Sequence, residues 1–401
     1  DTPRAAKGIF MRSFGKWLGR VLLVLVLALV VFGLWKREEI TRLLAVNSLF
    51  SEDKIVSNFS HMDRAFLTTP VSRGNGPTAE IAYGPEFTLP APVDDWIAAR
   101  DVTALVVIKD GEIVYENYFL GTDAEDLRIS WSVSKSYLSA LVGILLEEGD
   151  IASIDDPVTK YAPSLIGTAY DGATIRNVLN MASGVTFDED YLDRNSDINR
   201  MGRALALGGE LDDFTASLKD TFAPAGTQWQ YVSIDTHVIG MVVRGATGRT
   251  IPDLLGEKVI GPMGVERAPY YVTDGAGVAF VLGGLNLTTR DNARMGLLYL
   301  NKGFYNGKQV VPATWVAAST EASAPTRPGE IGYGYQWWIP KRARPGEFMA
   351  RGVYGQYIYI NREAGVVIAT NAADRGFREP GISDQNVDIF RLISRTLGNN
   401  L

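Results

Sequence analysis

The sequence predicts an α/β domain assembled from two separated stretches of the chain, a helical domain inserted between them, and one N-terminal transmembrane helix. Three observations carry this expectation. An uncharged apolar run fills residues 21–35. Two β-rich runs flank Asp110-Gly111, and convincing strand patterns return only beyond residue 330. Between these strand-rich parts the pattern is helices and loops.

The apolar run reads VLLVLVLALVVFGLW, Val21 to Trp35. With Trp17, Leu18 and Gly19 it approaches the roughly 20 residues that a bilayer-crossing helix needs. Arg4, Lys7, Arg12, Lys16 and Arg20 precede it. That positive bias predicts residues 1–16 in the cytosol, 17–35 as a single-pass anchor in the inner membrane, and the body in the periplasm or outside the cell. A cleaved signal peptide is the competing reading. No small-x-small site directly follows the run, and Lys36-Arg37 interrupts there. Met11 would make a natural start. Residues 36–84 then read as a juxtamembrane helix, REEITRLLAVNSLF, and a Gly- and Pro-bearing linker.

The folded domain is expected over 85–398. Its α/β part comprises 85–149 and 276–398, and its helical part 150–275. The stretch ALVVIKDGEIVYENYF carries Asp-Gly between two β-rich runs, a strong hairpin signal. The helix YLSALVGILLEEG follows. Strand patterns resume in GEIGYGYQWWIP and FMARGVYGQYIYINREAGVVIATN, and a helix closes the domain near Val387 to Leu397.

Composition removes several function classes. The formal net charge is −7 over 401 residues, which argues against a nucleic-acid binder. There is no cysteine, so disulfides, thiolate catalysis and cysteine metal sites are excluded. His61 and His237 are the only histidines, and no Gly-x-Ser-x-Gly occurs, against a Ser-His-Asp hydrolase or a zinc site. His237 reads as a packed or capping residue. DEDYLD lacks the spacing of a calcium loop and reads as a solvated loop. No metal or organic cofactor is expected.

Ser132 and Lys135 open the helix behind the hairpin. Serine needs a base to act as a nucleophile, and residues three apart share a helix face. Burial in an apolar helix lowers a lysine pKa, and the helix N-terminus favours a developing oxyanion. Ser-x-x-Lys alone is weak evidence, since Ser13/Lys16 and Ser51/Lys54 repeat it. Helix-start residues with no chemistry are the bland alternative, which Ser130, Ser134, Ser136 and Ser139 keep. Tyr231 lies 99 residues beyond Ser132, on a loop before an amphipathic helix. A phenol there can exchange a proton with serine or a leaving group. Alone, Tyr231 reads as a half-buried aromatic with its hydroxyl satisfied. Tyr115 and Tyr359 carry the same local pattern inside strands.

Together with SIDDPVTKYAPSL, TIRNVLNMASGV and GGLNLTTRDNARMGLLYLNKG, these blocks resemble the penicillin-recognising, class C β-lactamase-like serine hydrolases over roughly 85–398. The resemblance is nearest to the branch of 6-aminohexanoate-dimer hydrolases and esterases. It implies a β-lactamase-like fold, a mainly antiparallel sheet flanked by helices. It also implies Ser132 as the acylated nucleophile, Lys135 as its activating partner and Tyr231 as general base and acid. Gly352 would sit where the family's third motif lies, with the backbone N–H of Val353 and Ser132 forming the oxyanion hole. Ser233, Tyr191, Arg351 and Gly352 are the expected substrate contacts. Arg351 either replaces a lost lysine charge or faces solvent. Tyr191 either faces substrate or is a surface aromatic.

The expected reaction is hydrolysis of a small-molecule ester or linear amide through an acyl-enzyme at Ser132. A cell-wall D,D-peptidase or β-lactamase is the second reading. A non-catalytic binding or assembly protein with the same fold is the third.

Overall fold

The computed structural model describes residues 4–191 and 193–399. Helix α1 spans Arg4–Trp35 and α2 Arg37–Asn47. Within α1, Lys16–Trp35 is long and apolar enough to cross a membrane and is 0% buried in the protein.

A seven-stranded antiparallel sheet forms the centre. In chain order its strands are β1 (Val102–Lys109), β2 (Glu112–Tyr118), β3 (Gly332–Tyr333), β4 (Trp338–Ile339), β5 (Glu347–Gly352), β6 (Gln356–Asn361) and β7 (Val366–Ala372). They lie in the order β2-β1-β7-β6-β5-β4-β3. Asp110 and Gly111, with φ of 51° and 93°, make the tight β1–β2 turn. Positive φ at both central residues matches the twist of the paired strands. The distant strand-rich parts meet where β1 pairs with β7, Leu105 opposite Thr370.

Helices cover both faces of this sheet. On one face Val106, Ile108, Ala350, Ile358 and Val367 join a core with α3 (Ser134–Glu148) and other helices. On the other, Leu105, Val107, Met349 and Ile368 pack with Trp96 and the Phe390 and Ile393 side chains of the C-terminal helix Ile382–Asn399. Burial on both faces explains why Leu105–Ile108 is unbroken apolar sequence rather than an alternating one.

A second sheet aligns Leu67–Pro70, Tyr270–Thr273, Leu285–Leu287 and Arg128–Ile129, in that order and antiparallel throughout. It binds residues of the 36–84 segment, expected as juxtamembrane helix and linker, to the body of the protein. Leu49, Ile55, Phe59 and Met62 are 0–3% exposed and share the core of α3. These strands hold only two to four residues each, too few for a period-2 pattern to show in sequence. The helical middle includes α4 (Asp197–Ala206) and α5 (Ser233–Thr247).

Candidate active site

Ser132 sits in a single 3₁₀ turn, Trp131–Val133, between the short strand Arg128–Ile129 and α3. The flanking backbone is unusual. Trp131 (φ 44°) and Tyr354 (φ 60°), which follows β5 by two residues, both occupy the left-handed region. Bulky residues there cost on the order of 1–3 kcal/mol each, and surrounding contacts must hold them. Their rings lie 6.1 Å apart. The neighbouring serines supply more of the restraint. Ser130, Ser134, Ser136 and Ser139 donate to the carbonyls of Leu285, Val281, Gln336 and Tyr335 at 2.7–2.8 Å. They stitch the helix start to the adjoining loops, which is the bland role the sequence assigned them.

Lys135 is 1% exposed. Its ammonium donates to the Ser233 carbonyl at 3.4 Å. Burial lowers its pKa to about 7, against the opposing pull of the Glu189 and Asp235 carboxylates. A substantial neutral fraction therefore exists near neutral pH, which a solvated lysine lacks. Tyr231 comes from the loop before α5. Burial holds its pKa above the ordinary phenol value, with the nearby Ser132 hydroxyl pulling the other way. The Lys135 nitrogen lies 5.5 Å from the centroid of the Tyr231 ring. Residues 99 positions apart thus meet because α3 and α5 pack side by side.

The sheet supplies the opposite wall. A Cβ on Gly352, at the end of β5, would stand 2.8 Å from the Ser130 carbonyl oxygen and 3.1 Å from the Ser132 nitrogen. Only glycine lets the backbone entering Val353 approach the nucleophile this closely. Arg351 is half-buried. It donates to Ser383 Oγ at 2.7 Å, and its guanidinium lies 5.4 Å from the Trp338 ring. Trp338 in turn stacks on Tyr231 at 5.1 Å. The Arg351 charge pulls the Tyr231 pKa down. Of the two roles left open for Arg351, the fold gives it contacts within the protein.

Ser233 is buried. Its N–H and hydroxyl both donate to Glu189, the latter at 3.2 Å. Tyr191 is half-buried beside Glu189. Its ring meets Phe377 edge-on at 6.3 Å, and Arg378 lies 5.5 Å from it.

Two acidic residues escaped the sequence reading. Glu189 belongs to the DEDYLD stretch, read above as solvated. Its side chain instead turns inward beneath Ser233, and burial raises its pKa. Asp235 accepts from Tyr170 Oη at 2.7 Å, and burial raises it to about 7. Its position two residues past Ser233, on the buried face of α5, was the available signal. For Glu189 there was none, because its neighbours Asp188 and Asp190 are exposed. His237 is buried with Nε2 2.7 Å from Asp212 Oδ1, an oxygen that also accepts from Arg244 at 2.6 Å. It is a packed histidine.

A cavity of about 440 Å³ opens beside the nucleophile. Trp131, Ser132, Tyr191, Ser233, Val353 and Tyr354 form its catalytic end. A half-buried hydroxyl beside a dry amine, with a phenol nearby, is an arrangement suited to acyl transfer.

Residues 93–385 match the Beta-lactamase family model. The chain belongs to the beta-lactamase family. Within it, the sequence is 31% identical over 279 residues to the 6-aminohexanoate-dimer hydrolase of Paenarthrobacter ureafaciens, covering 66% of this chain and 71% of that protein. A Bacillus anthracis structure described as a 6-aminohexanoate-dimer hydrolase superposes with a TM-score of 0.78 at 24% identity, over 88% of this chain and 96% of the other. A family VIII carboxylesterase superposes with a TM-score of 0.56 at 17% identity, over 77% and 99%. These two likenesses concern the fold.

Proposed function

We propose that this member of the beta-lactamase family is a serine hydrolase that cleaves an ester or linear amide bond through an acyl-enzyme at Ser132. The observation that carries this is the buried Lys135 amine 5.5 Å from the Tyr231 ring, with Ser132 near enough to the phenol to draw its pKa down. Burial pushes the two candidate bases in opposite directions. Lys135 is lowered to about 7 and Tyr231 is raised. The amine is therefore the group that accepts the Ser132 proton, and the phenol works as a neutral relay and proton donor. In acylation, Ser132 Oγ attacks the carbonyl carbon. The backbone N–H groups of Ser132 and Val353 stabilise the oxyanion, and Tyr231 delivers a proton to the departing oxygen or nitrogen. Water then attacks the acyl-enzyme by the reverse proton route. Gly352 sets the approach of β5, and Arg351 stabilises negative charge near Tyr231. The amide-cleaving and esterase names of the relatives are consistent with this substrate class.

The same proposal places the hydrolase at a membrane. Helix Lys16–Trp35 would anchor it, with the N-terminus cytosolic and the catalytic body outside.

The test is hydrolysis of p-nitrophenyl acetate by the wild type and by Ser132→Ala. Loss of turnover with retained folding is expected; survival of the activity removes Ser132 as nucleophile. Fluorescent penicillin should label the wild type weakly. Firm labelling at Ser132 would instead favour the peptidase or β-lactamase reading.

A further inference from the structure

We infer that the cavity beside Ser132 takes the apolar acyl chain of a lipophilic ester or amide, so that the acyl group is fatty rather than cationic. This rests on the proposed serine-hydrolase reading and names its substrate class.

Four observations support it. First, the cavity runs away from Ser132 between aliphatic and aromatic side chains. Met201, Leu205 and Ile198 of α4 line it, together with Phe280, Leu282 and Phe66. Burying each methylene of a chain in such surroundings is favourable, whereas a cationic terminus would lose hydration with no counter-charge to replace it. Second, two of the polar side chains along its wall are already engaged. Asn199 Nδ2 donates to the carbonyls of Asp193 and Tyr191 at 2.8 and 3.1 Å. Arg203 donates to the Arg194 carbonyl. Among the described residues lining it, none is Asp or Glu, so an acyl group with an ω-ammonium would find two arginines and no counter-ion.

Third, the cavity touches Ser132, Trp131 and Val353 but not Tyr231, Lys135 or Arg351. Tyr231 must face the departing atom, so the leaving group lies on its side. The cavity, which reaches Ser132 and Ser233 without touching Tyr231, is then assigned to the acyl group. Fourth, the roof is the membrane-proximal segment. Val46, Leu49 and Phe50 line the cavity, and Phe50 stacks on Tyr354 at 5.2 Å with 12° between planes. A second cavity shares Phe66 and Leu205 with the first and extends to Leu43, Arg42 and Lys36, where the apolar helix ends. The apolar cavity beside the nucleophile therefore adjoins, through Phe66 and Leu205, a mixed cleft whose Lys36 and Arg42 lie at the end of α1.

The experiment is a chain-length series of p-nitrophenyl esters, acetate to decanoate, with the full chain in neutral detergent. In the wild type kcat/KM is expected to rise by roughly fourfold per methylene over the first several carbons, the equivalent of burying each CH2. Gly202→Phe gives the second measurement. Gly202 lines the cavity, and a Cβ there meets no atom within 4 Å, so the new ring enters open space. The decanoate-to-acetate ratio of kcat/KM should fall more than tenfold in Gly202→Phe. A flat chain-length profile overturns the inference, as does a ratio unchanged by Gly202→Phe while the variant remains folded. The two readings fail separately. If Ser132→Ala still hydrolyses acetate, the nucleophile is wrong. If Ser132→Ala is dead but chain length has no effect, only the acyl-chain inference falls.

Discussion

Lys135 and Glu189 form the electrostatic centre of the site, and both make predictions at the scale of single residues. With the amine lowered to about 7, the acidic limb of the kcat/KM profile should lie near that pH. A limb near the solvated lysine value would contradict the assigned role. Lys135→Ala should reduce turnover by about 10²–10⁴-fold, the usual worth of a proton-transfer group. Ester hydrolysis by stopped assay measures this, and a loss under tenfold would remove lysine from the mechanism. Glu189→Gln tests the counter-charge. The Glu189 anion favours the ammonium form, so its removal should lower the Lys135 pKa further. The acidic limb then moves to lower pH; movement to higher pH would contradict this account. Lys135 was visible in the sequence because a helix start fixes Ser-x-x-Lys geometry. Glu189 was not visible, since whether an acidic loop residue faces solvent or Lys135 depends on the path of residues 186–191 across the site.

At the scale of elements, the proposed catalysis depends on how closely β5 approaches the start of α3. The Gly352→Ala methyl would meet two backbone atoms, Ser130 O and Ser132 N, neither of which can rotate away. The strand must retreat. Overpacking of this kind costs about 1–3 kcal/mol. A displacement approaching 1 Å at the reacting groups can cost on the order of 10²-fold in rate. Gly352→Ala is therefore expected to lose far more activity than thermal stability, as read by kcat/KM beside the melting temperature. Equal activity with a normal melting curve would show that Gly352 does not set this spacing. The glycine and the strand around it were legible in the sequence. Their contact with Ser130 was not, because it is made across 222 positions by sheet pairing and helix docking.

For the whole molecule, the segment after α1, residues 36–84, matters to folding. Arg128, 1% exposed, donates to Ser60 Oγ at 2.7 Å and so ties this segment to the strand leading into Ser132. Leu49, Ile55, Phe59 and Met62 fill the core shared with α3. Burial of each apolar side chain contributes about 1.5–3 kcal/mol. Losing four approaches the entire stability of a typical domain, about 5–15 kcal/mol. A chain beginning at Arg37 should give a cooperative melt in circular dichroism. One beginning at Pro85 should be insoluble or lack a transition. A well-folded 85–401 fragment would show the segment to be dispensable.

The sequence alone determined the β1–β2 hairpin, the apolar first helix, the helix carrying Lys135 just behind Ser132, and the order of the motif blocks. Each is written locally, in turn chemistry, hydropathy or helical spacing, which depend on neighbours a few positions away. Tertiary structure decided the rest. It drew Leu49, Ile55, Phe59 and Met62 into the core, turned Glu189 inward, placed Arg351 against Ser383 and Trp338, and opened an apolar cavity beside Ser132. Those features depend on which surfaces pack together and which polar groups lose water, and no short stretch of sequence encodes that.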